Sequence, residues 1–250
     1  LSEETGNALT RLENTDYNRN HLTSLLRVSG PPDTLNTQVA HTLTGRIWNT
    51  PAFFEKKKVL IFSPHPDDDV ICMGGTMQKL VEQHNRVDVA YMTNGNLAVF
   101  DQDAMRHLEF ILRIGESLKM QDTRFLRAIE DLMGVLQQKK FGDVDHPGVQ
   151  DVKRVIRESE AIAAIETLGI GREHAHLLNL PFYQTGKVKK DPIDEDDVRI
   201  VHDILKRLKP DHIFVAGDMT DPHGTHRMCK HAIDEALRKI KADNRPRVWL

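Results

Sequence analysis

Residues 59–75, VLIFSPHPDDDVICMGG, run from an apolar stretch directly into one histidine and three consecutive aspartates. Adjacent carboxylates repel one another, and a histidine together with a divalent cation can keep several of them ionised. Catalytic zinc uses imidazole and carboxylate ligands from three side chains and leaves a fourth position for water. His65 and Asp68 therefore offer two candidate ligands, while capping of a helix N-terminus is the structural alternative for the aspartates.

A second polar cluster, DMTDPHGTH at 218–226, directly follows the apolar run HIFVAG at 212–217. His223 and His226 lie on either side of a glycine in this cluster, and one of them would complete a His, Asp, His metal site. The alternative is a pair of solvated loop histidines, since the chain has 13 histidines. The residues alone leave both interpretations open.

These two clusters require a fold that brings distant loops together. Residues 59–62 and 87–92 are short apolar runs typical of buried parallel strands, and a helical pattern lies between them. Strand, helix and strand in this order form a βαβ unit with a parallel sheet. The sequence predicts an open, mostly parallel, Rossmann-like α/β sheet with helices on both faces, whose carboxyl edge holds both clusters.

Further periodic segments extend this predicted sheet. A helix that ends at Gly169 is predicted to place Val155 and Ile156 on its apolar face. Gly74 and Gly75 are predicted to permit close helix–strand packing, because the glycine fingerprint of a dinucleotide site is absent. The remaining predicted elements are a helical insertion at 97–150, a strand at 174–181, and helices at 201–208 and 229–240.

Composition limits the class of protein and its partners. The chain has 250 residues, a formal net charge of -3 and 28% charged residues, so nucleic acid is not the expected partner. Cys72 and Cys229 show no paired metal or redox spacing, and a disulfide scaffold is not expected. No apolar run approaches the ~20 residues of a membrane span. The composition is compatible with a homo-oligomer.

The polar segment 1–58 differs from the remainder of the sequence. It contains the linker-like SGPPDT at 29–34 and is predicted to be a linker or the end of a preceding domain. Residues 59–250 form the predicted α/β domain. Because the sequence begins without methionine and stops inside the strand-like RVWL, both ends are predicted to be cut from something longer, and the domain to be truncated at its C-terminus.

Four motifs in order resemble the LmbE/PIG-L family of zinc-dependent N-acetylglucosaminyl deacetylases, over residues 59 to about 240. These motifs are HPDDD after the first strand, TNGN after the second, RESEAIAAIETLGI on a helix, and HGTH after KPDHIFVAG. By this resemblance His65, Asp68 and His226 bind Zn²⁺, and another divalent metal such as Fe²⁺ is compatible with the same ligands. The resemblance thus selects His226 as the third ligand.

The resemblance also implies roles for three further residues. Asp67 is the general base that moves a proton from water to the leaving amine. His223 assists where the oxyanion develops. Arg157 matches the helix arginine that faces the substrate in the family, and an ordinary exposed helix charge is its alternative interpretation.

Two positions depart from the family pattern. The family usually has glutamate where Asp69 stands, and Asp69 is predicted to be a helix cap or a partner of the metal ligands. It usually has aspartate where Thr225 stands, and that aspartate orients the assisting His223. Asp218 or Asp221, from the same loop, are candidate substitutes for it.

The resemblance implies hydrolysis of the N-acetyl group of an N-acetylglucosamine-type amino sugar or conjugate, in amino-sugar metabolism in the cytoplasm. Residues 1–58 resemble the connecting segment of proteins that carry a glucosamine-6-phosphate deaminase-like domain ahead of this one. A catalytically weak sugar-binding partner of such a deaminase-like domain is the alternative function. A metal phosphoesterase is less compatible, because those sites need more carboxylate ligands for two metals.

Overall fold

The computed structural model describes residues 1–47, 54–120, 122–140, 142–187, 189–218 and 220–250. The chain divides into two compact units, Leu1–Phe54 and Glu55–Leu250. The assignment of the N-terminal segment to a linker or to a preceding domain stays a prediction. Across these described ranges, every helix is too short or too polar to cross a lipid bilayer.

The first unit is helical. Leu12, Tyr17 and Leu35 are its buried apolar side chains. The Tyr17 hydroxyl donates to Asn36 Oδ1 at 2.5 Å, and Asn36 Nδ2 donates to the Leu12 carbonyl at 2.7 Å, so a polar link joins the second and fourth helices. The helices are α1 (Ser2–Thr5), α2 (Asn14–Arg19), α3 (Thr23–Ser29) and α4 (Pro32–Ile47).

The second unit is built on a sheet. Within its described residues, five strands pair in parallel in the order β3-β2-β1-β4-β5. The predicted open parallel α/β sheet is therefore confirmed. The strands are β1 (Lys58–Ser63), β2 (Arg86–Tyr91), β3 (Ala175–Leu177), β4 (His212–Val215) and β5 (Arg247–Trp249).

Helices cover both faces of this sheet, as the alternation of side chains requires. On one face, Leu60 of β1 shares a core with Val201 and Ala232. On the other, the Tyr91 hydroxyl of β2 lies 3.3 Å from the backbone oxygen of Ala161. The helices are α5 (Asp68–Glu82), α6 (Asp101–Ser117), α7 (Thr123–Gln138), α8 (Pro147–Thr167), α9 (Glu195–Leu208) and α10 (Thr225–Arg238).

The central strand β1 fixes where ligands can bind. It pairs with β2 on one side, where Val59 opposes Val87, and with β4 on the other, where Val59 opposes His212. The strand order changes direction between these two neighbours. Crevices outside the carboxyl ends of strands form at such a switch point. The loops after β1 and β4 meet there, so the two polar clusters share one edge.

Candidate active site

The loop after β1 presents its polar residues through a short turn into α5. The backbone N–H of Asp67 donates to the His65 carbonyl at 2.8 Å, and Asp67 takes the N-cap position of α5 without a side-chain capping bond. The backbone N–H of His65 donates to Asp68 Oδ2 at 2.8 Å. The hydrogen bonds of this turn hold the side chain of Asp68 close to His65. The capping alternative does not account for the side chain of Asp67.

His65, Asp68 and His226 come together as a compact donor group. Asp68 Oδ2 lies 3.1 Å from Nδ1 of His65 and 3.3 Å from Nε2 of His226. The three donor atoms all lie within 4.8 Å of one another. At bond lengths of about 2.0–2.2 Å, neighbouring donors of a tetrahedral zinc ion stand about 3.3 Å apart. Both the donor chemistry and the spacing therefore fit a zinc-sized divalent cation.

The charge state of Asp68 suits a metal ligand. Burial by itself would raise the pKa of this carboxyl. Hydrogen bonds from the side chain and backbone of His65, together with the charges of His65 and His226, outweigh burial and hold the pKa of Asp68 below its ordinary value. The carboxylate is therefore ionised at neutral pH.

Asp67 and Arg157 form a charged pair beside the donor group. Arg157 Nη2 donates to Asp67 Oδ2 at 2.6 Å, and the Arg157 side chain is only 16% exposed. Arg157 is thus not an ordinary exposed helix charge. Gly95, from the TNGN motif, has φ +62°, and a Cβ there would lie 2.7 Å from Pro66 and 3.4 Å from Arg157 Nε. A larger residue would therefore disturb the pair.

Asp69 faces the interior of the domain. It is 3% exposed and accepts hydrogen bonds from the Tyr91 hydroxyl at 3.0 Å and from Ser63 Oγ at 3.2 Å. Burial raises the pKa of Asp69 despite these bonds. Its side chain ties β1, β2 and α5 together, and because Asp67 takes the N-cap position of α5, the prediction that Asp69 caps this helix is wrong.

The loop after β4 carries His223, Asp218 and Asp221 into the same site. His223 is exposed, and its ring centroid lies 6.4 Å from that of His65. Asp218 is exposed and accepts from the backbone and hydroxyl of Thr220. Asp221 is only 5% exposed, and neither of its carboxylate oxygens has a hydrogen-bond partner among the described residues. Of the two candidate substitutes, Asp221 is the buried one.

Two more buried polar atoms at the start of α10 resemble the Asp221 oxygens. Thr225 Oγ1 and His226 Nδ1 also lack partners in the part of the chain that the structure describes. Buried polar groups are nearly always hydrogen-bonded. A histidine that binds a metal through Nε2 keeps its proton on Nδ1, where an outer carboxylate commonly accepts it. His226 Nε2 faces Asp68 Oδ2, but its Nδ1 has no such acceptor among the described residues.

A cavity of about 530 Å³ contains every predicted site residue. Tyr183 and Lys190, from the segment after β3, also line it and were not singled out in the sequence. Neither belongs to a motif or to a regular hydrophobic period, so spacing in the sequence does not mark them. The lining residues are His65, Asp67, Asp68, Gly95, Leu97, Ala98, Arg157, Tyr183, Lys190, Asp218, Asp221, Pro222, His223, Thr225 and His226.

The glycine pair in α5, Gly74 and Gly75, does not pack in the way that was predicted. A Cβ added at Gly74 or Gly75 would meet no heavy atom of the described residues within 4 Å. The prediction of close packing there is wrong. The backbone of the preceding Met73 leaves helical geometry, with φ -143° and ψ 22°, so the helix is kinked immediately before the pair.

Comparisons with known sequences identify a matching family model and two relatives. The model of the family described as PIG-L, GlcNAc-PI de-N-acetylase, matches residues 60–237. A glucosamine-6-phosphate deaminase-like protein of Bacteroides thetaiotaomicron is 39% identical over 270 residues, covering 100% of this chain and 41% of the relative. The diacetylchitobiose deacetylase of Thermococcus kodakarensis is 31% identical over 106 residues, 42% of this chain and 36% of the relative. The chain therefore spans about two fifths of these relatives.

The solved structures that match this chain include two enzymes of different activity. The N,N'-diacetylchitobiose deacetylase of Pyrococcus horikoshii matches with a TM-score of 0.48 and 20% identity, covering 81% of this chain and 58% of that one. The 4-carboxy-2-hydroxymuconate hydratase of Pseudomonas putida matches with a TM-score of 0.44 and 18% identity, covering 73% of this chain and 56% of that one.

Proposed function

The chain belongs to the PIG-L family of GlcNAc-PI de-N-acetylases, and on this premise we propose that it hydrolyses the N-acetyl group of an N-acetylglucosamine-type amino sugar. The observation that carries the proposal is the convergence of His65, Asp68 and His226 beside Asp67 in one cavity. The Thermococcus relative is named as a diacetylchitobiose deacetylase, which supports the same substrate class. Amino-sugar metabolism in the cytoplasm is the corresponding setting.

His65, Asp68 and His226 would hold a divalent metal ion, with Zn²⁺ as the proposed ion. When bound, such an ion supplies polarisation of an amide carbonyl and a lower pKa for a water molecule. The three side chains leave one tetrahedral position for that chemistry. Asp68, held ionised by its two histidine neighbours, contributes the negative charge of the ligand set.

Asp67 is the proposed proton carrier. It lies next to the ligand Asp68 in sequence but stands outside the donor group and opens into the cavity. Its carboxylate can take a proton from the attacking water and deliver it to the amine that leaves, which is worth about 10²- to 10⁴-fold in rate. Arg157, bound at 2.6 Å to Asp67 Oδ2, fixes the direction of this carboxylate.

His223 is proposed to stabilise the oxygen that becomes negative in the tetrahedral state. It lines the same cavity as the Asp67–Arg157 pair. In its protonated form its ring can donate to a developing oxyanion. Acetate and a free amine are the products. Asp221 is the buried carboxylate of the same loop and is proposed to replace the aspartate that the family usually carries at Thr225.

The proposal is tested by metal analysis of the purified protein together with acetate release from N-acetylglucosamine and N,N'-diacetylchitobiose. We expect one divalent ion per chain and acetate release that chelation abolishes and Zn²⁺ restores. Asp67→Asn should retain the metal and lose activity, whereas Asp131→Asn, on the exposed surface of α7, should retain both. A metal-free protein that still releases acetate would contradict the proposal, and metal binding without turnover of any N-acetylated sugar would favour the sugar-binding module.

A further inference from the structure

We propose that Lys190 forms a subsite for a phosphate monoester on the substrate, so that the preferred substrate is a phosphorylated N-acetylated amino sugar. This inference rests on the proposed function and names its substrate class. The subsite lies in the segment between β3 and α9, which the four family motifs do not include.

The position of Lys190 relative to the metal ligands supports a substrate contact. Lys190 Nζ stands 4.0 Å from the centroid of the Tyr183 ring, and that ring lies 6.0 Å from the ring of His65. Both Tyr183 and Lys190 line the cavity that contains the donor group. A sugar whose acetamide reaches the donor group therefore has the Lys190 ammonium within reach of a substituent elsewhere on its ring.

Among the described residues, the charge of Lys190 has no acidic partner. Arg157, the other strong cation of the cavity, is engaged by Asp67 at 2.6 Å and by Glu160 at 3.1 Å. Lys190 instead contacts the face of Tyr183 and donates a hydrogen bond of 3.0 Å from Nζ to the Lys187 carbonyl. Two of the three ammonium hydrogens are thus available to a ligand.

Partial burial makes this unpaired charge costly and selects an anionic ligand. Desolvation lowers the pKa of Lys190 to about 8. A neutral sugar hydroxyl would leave the buried charge uncompensated, whereas a phosphate dianion supplies both the opposite charge and acceptors for charge-assisted hydrogen bonds. The neighbouring Lys187 and Lys189 are exposed and do not line the cavity.

The same burial gives the preference a pH dependence. Below about pH 8 the free enzyme carries the ammonium, and above it the amine no longer attracts phosphate. Bound phosphate favours the charged form and extends binding to somewhat higher pH. The other charged or titratable groups that line this cavity are His65, Asp67, Asp68, Arg157, Tyr183, Asp218, Asp221, His223 and His226.

The test compares kcat/KM for acetate release from N-acetylglucosamine 6-phosphate, N-acetylglucosamine 1-phosphate and N-acetylglucosamine with the metal-loaded full chain. We expect the wild type to prefer one phosphorylated sugar, and Lys190→Ala to reduce the ratio of phosphorylated to unphosphorylated substrate by about 10- to 100-fold. Lys189→Ala, which removes the same charge from an exposed neighbouring position, should keep the wild-type ratio. Lys190→Arg should restore part of it.

Each outcome separates this inference from the proposed function. Equal kcat/KM for phosphorylated and unphosphorylated sugars in the wild type would overturn the phosphate subsite while leaving the deacetylase intact. A Lys190-dependent preference for N-acetylmuramic acid would assign the subsite to a carboxylate and also overturn it. If no N-acetylated sugar releases acetate, calorimetric titration with glucosamine 6-phosphate and glucosamine decides: Lys190-dependent binding of the phosphorylated sugar alone supports the subsite, and equal or absent binding overturns it.

Discussion

The second unit contains two clusters of one aspartate and two histidines, and these clusters differ in their surroundings. At the carboxyl edge of β1, Asp68 Oδ2 is shared by His65 and His226. In β2 and the start of β3, Asp88 Oδ1 is shared by His174 at 3.1 Å and His176 at 2.8 Å. The residue types are the same in both.

Their surroundings differ in accessibility and in spare bonding capacity. Asp88 is 3% exposed, and its second oxygen accepts from Arg86 at 2.9 Å, so both oxygens are occupied by protein. Within the described residues, the donor atoms of His65, Asp68 and His226 all lie within 4.8 Å of one another, whereas the Asp88 group forms no such set. A metal site requires donors that converge on an open position, whereas residue composition by itself also describes a closed ionic link between two strands.

We call the group of His65, Asp68 and His226 the open cluster, and the group of Asp88, His174 and His176 the closed cluster. The largest expected effect comes from breaking the open cluster. Asp68→Ala removes the carboxylate that both imidazoles face, and we expect loss of stoichiometric metal and of measurable acetate release. Elemental analysis and an acetate assay check this result. The matched change in the closed cluster, Asp88→Ala, should leave the metal content of the folded fraction unchanged. Metal lost equally from both variants would erase the distinction between the clusters.

A smaller effect is expected from the carboxylate that lies beside the open cluster but outside it. Asp67→Asn keeps the shape of the side chain and removes its basicity, so kcat should fall by about 10²- to 10⁴-fold with the metal retained. Steady-state kinetics on metal-loaded protein measure it. Near wild-type kcat in this variant would show that another group carries the proton.

A third change probes the carboxylate that is proposed to take over the orienting role beside His223. Asp221→Asn removes the charge of this buried side chain, and we expect kcat to fall by about 10- to 100-fold with the metal retained, the range typical of outer partners that orient a site residue. Steady-state kinetics on metal-loaded protein measure kcat. The exposed Asp218→Asn is the control from the same loop, and equal effects of the two changes would argue against a special role for Asp221.

The smallest effect on activity, but a clear one on stability, is expected from the closed cluster. Hydrogen bonds from His176, Arg86 and His174 outweigh burial and hold the pKa of Asp88 well below its ordinary value. A depressed pKa contributes stability above the unfolded pKa of about 3.9, and this contribution is lost as pH falls further.

Asp88→Asn should therefore lower the free energy of unfolding by about 1–3 kcal/mol at neutral pH. It should also flatten the decline of stability below pH 4 relative to the wild type. Urea unfolding at pH 7 and pH 3 measures both values. An unchanged pH dependence would show that Asp88 titrates alike in the folded and unfolded chain.

The sequence predicted the sheet because the apolar runs of its strands are strong local patterns. The residues alone left His223 and His226 open as the third donor, and the family resemblance selected His226. The run at 87–92 became β2 at Arg86–Tyr91, and the motifs after β1 and β4 lie at one edge. The face of α8 was predicted less well: Val155 is 53% exposed, while Ile156 is buried. Val155 lies at the edge of the apolar face of α8, and periodicity does not decide how wide that face is.

Tyr183 and Lys190 were outside the reach of sequence patterns for a different reason. They follow β3, which was predicted at 174–181 and spans only Ala175–Leu177. The segment beyond this strand has no regular hydrophobic period. Their placement depends on the contacts of one lysine with one aromatic ring across an irregular segment. Such a tertiary contact overrides local propensity and leaves no spacing rule to detect.

The origin of the donor group in two distant parts of the chain has a consequence for biosynthesis. His65 and Asp68 are made early and His226 late, so a nascent polypeptide cannot complete the ligand set until β4 has docked beside β1. Ion capture would then follow assembly of the sheet and hold its central strands together by mass action. Cellular metal supply would thereby set how long each newly made copy survives quality control.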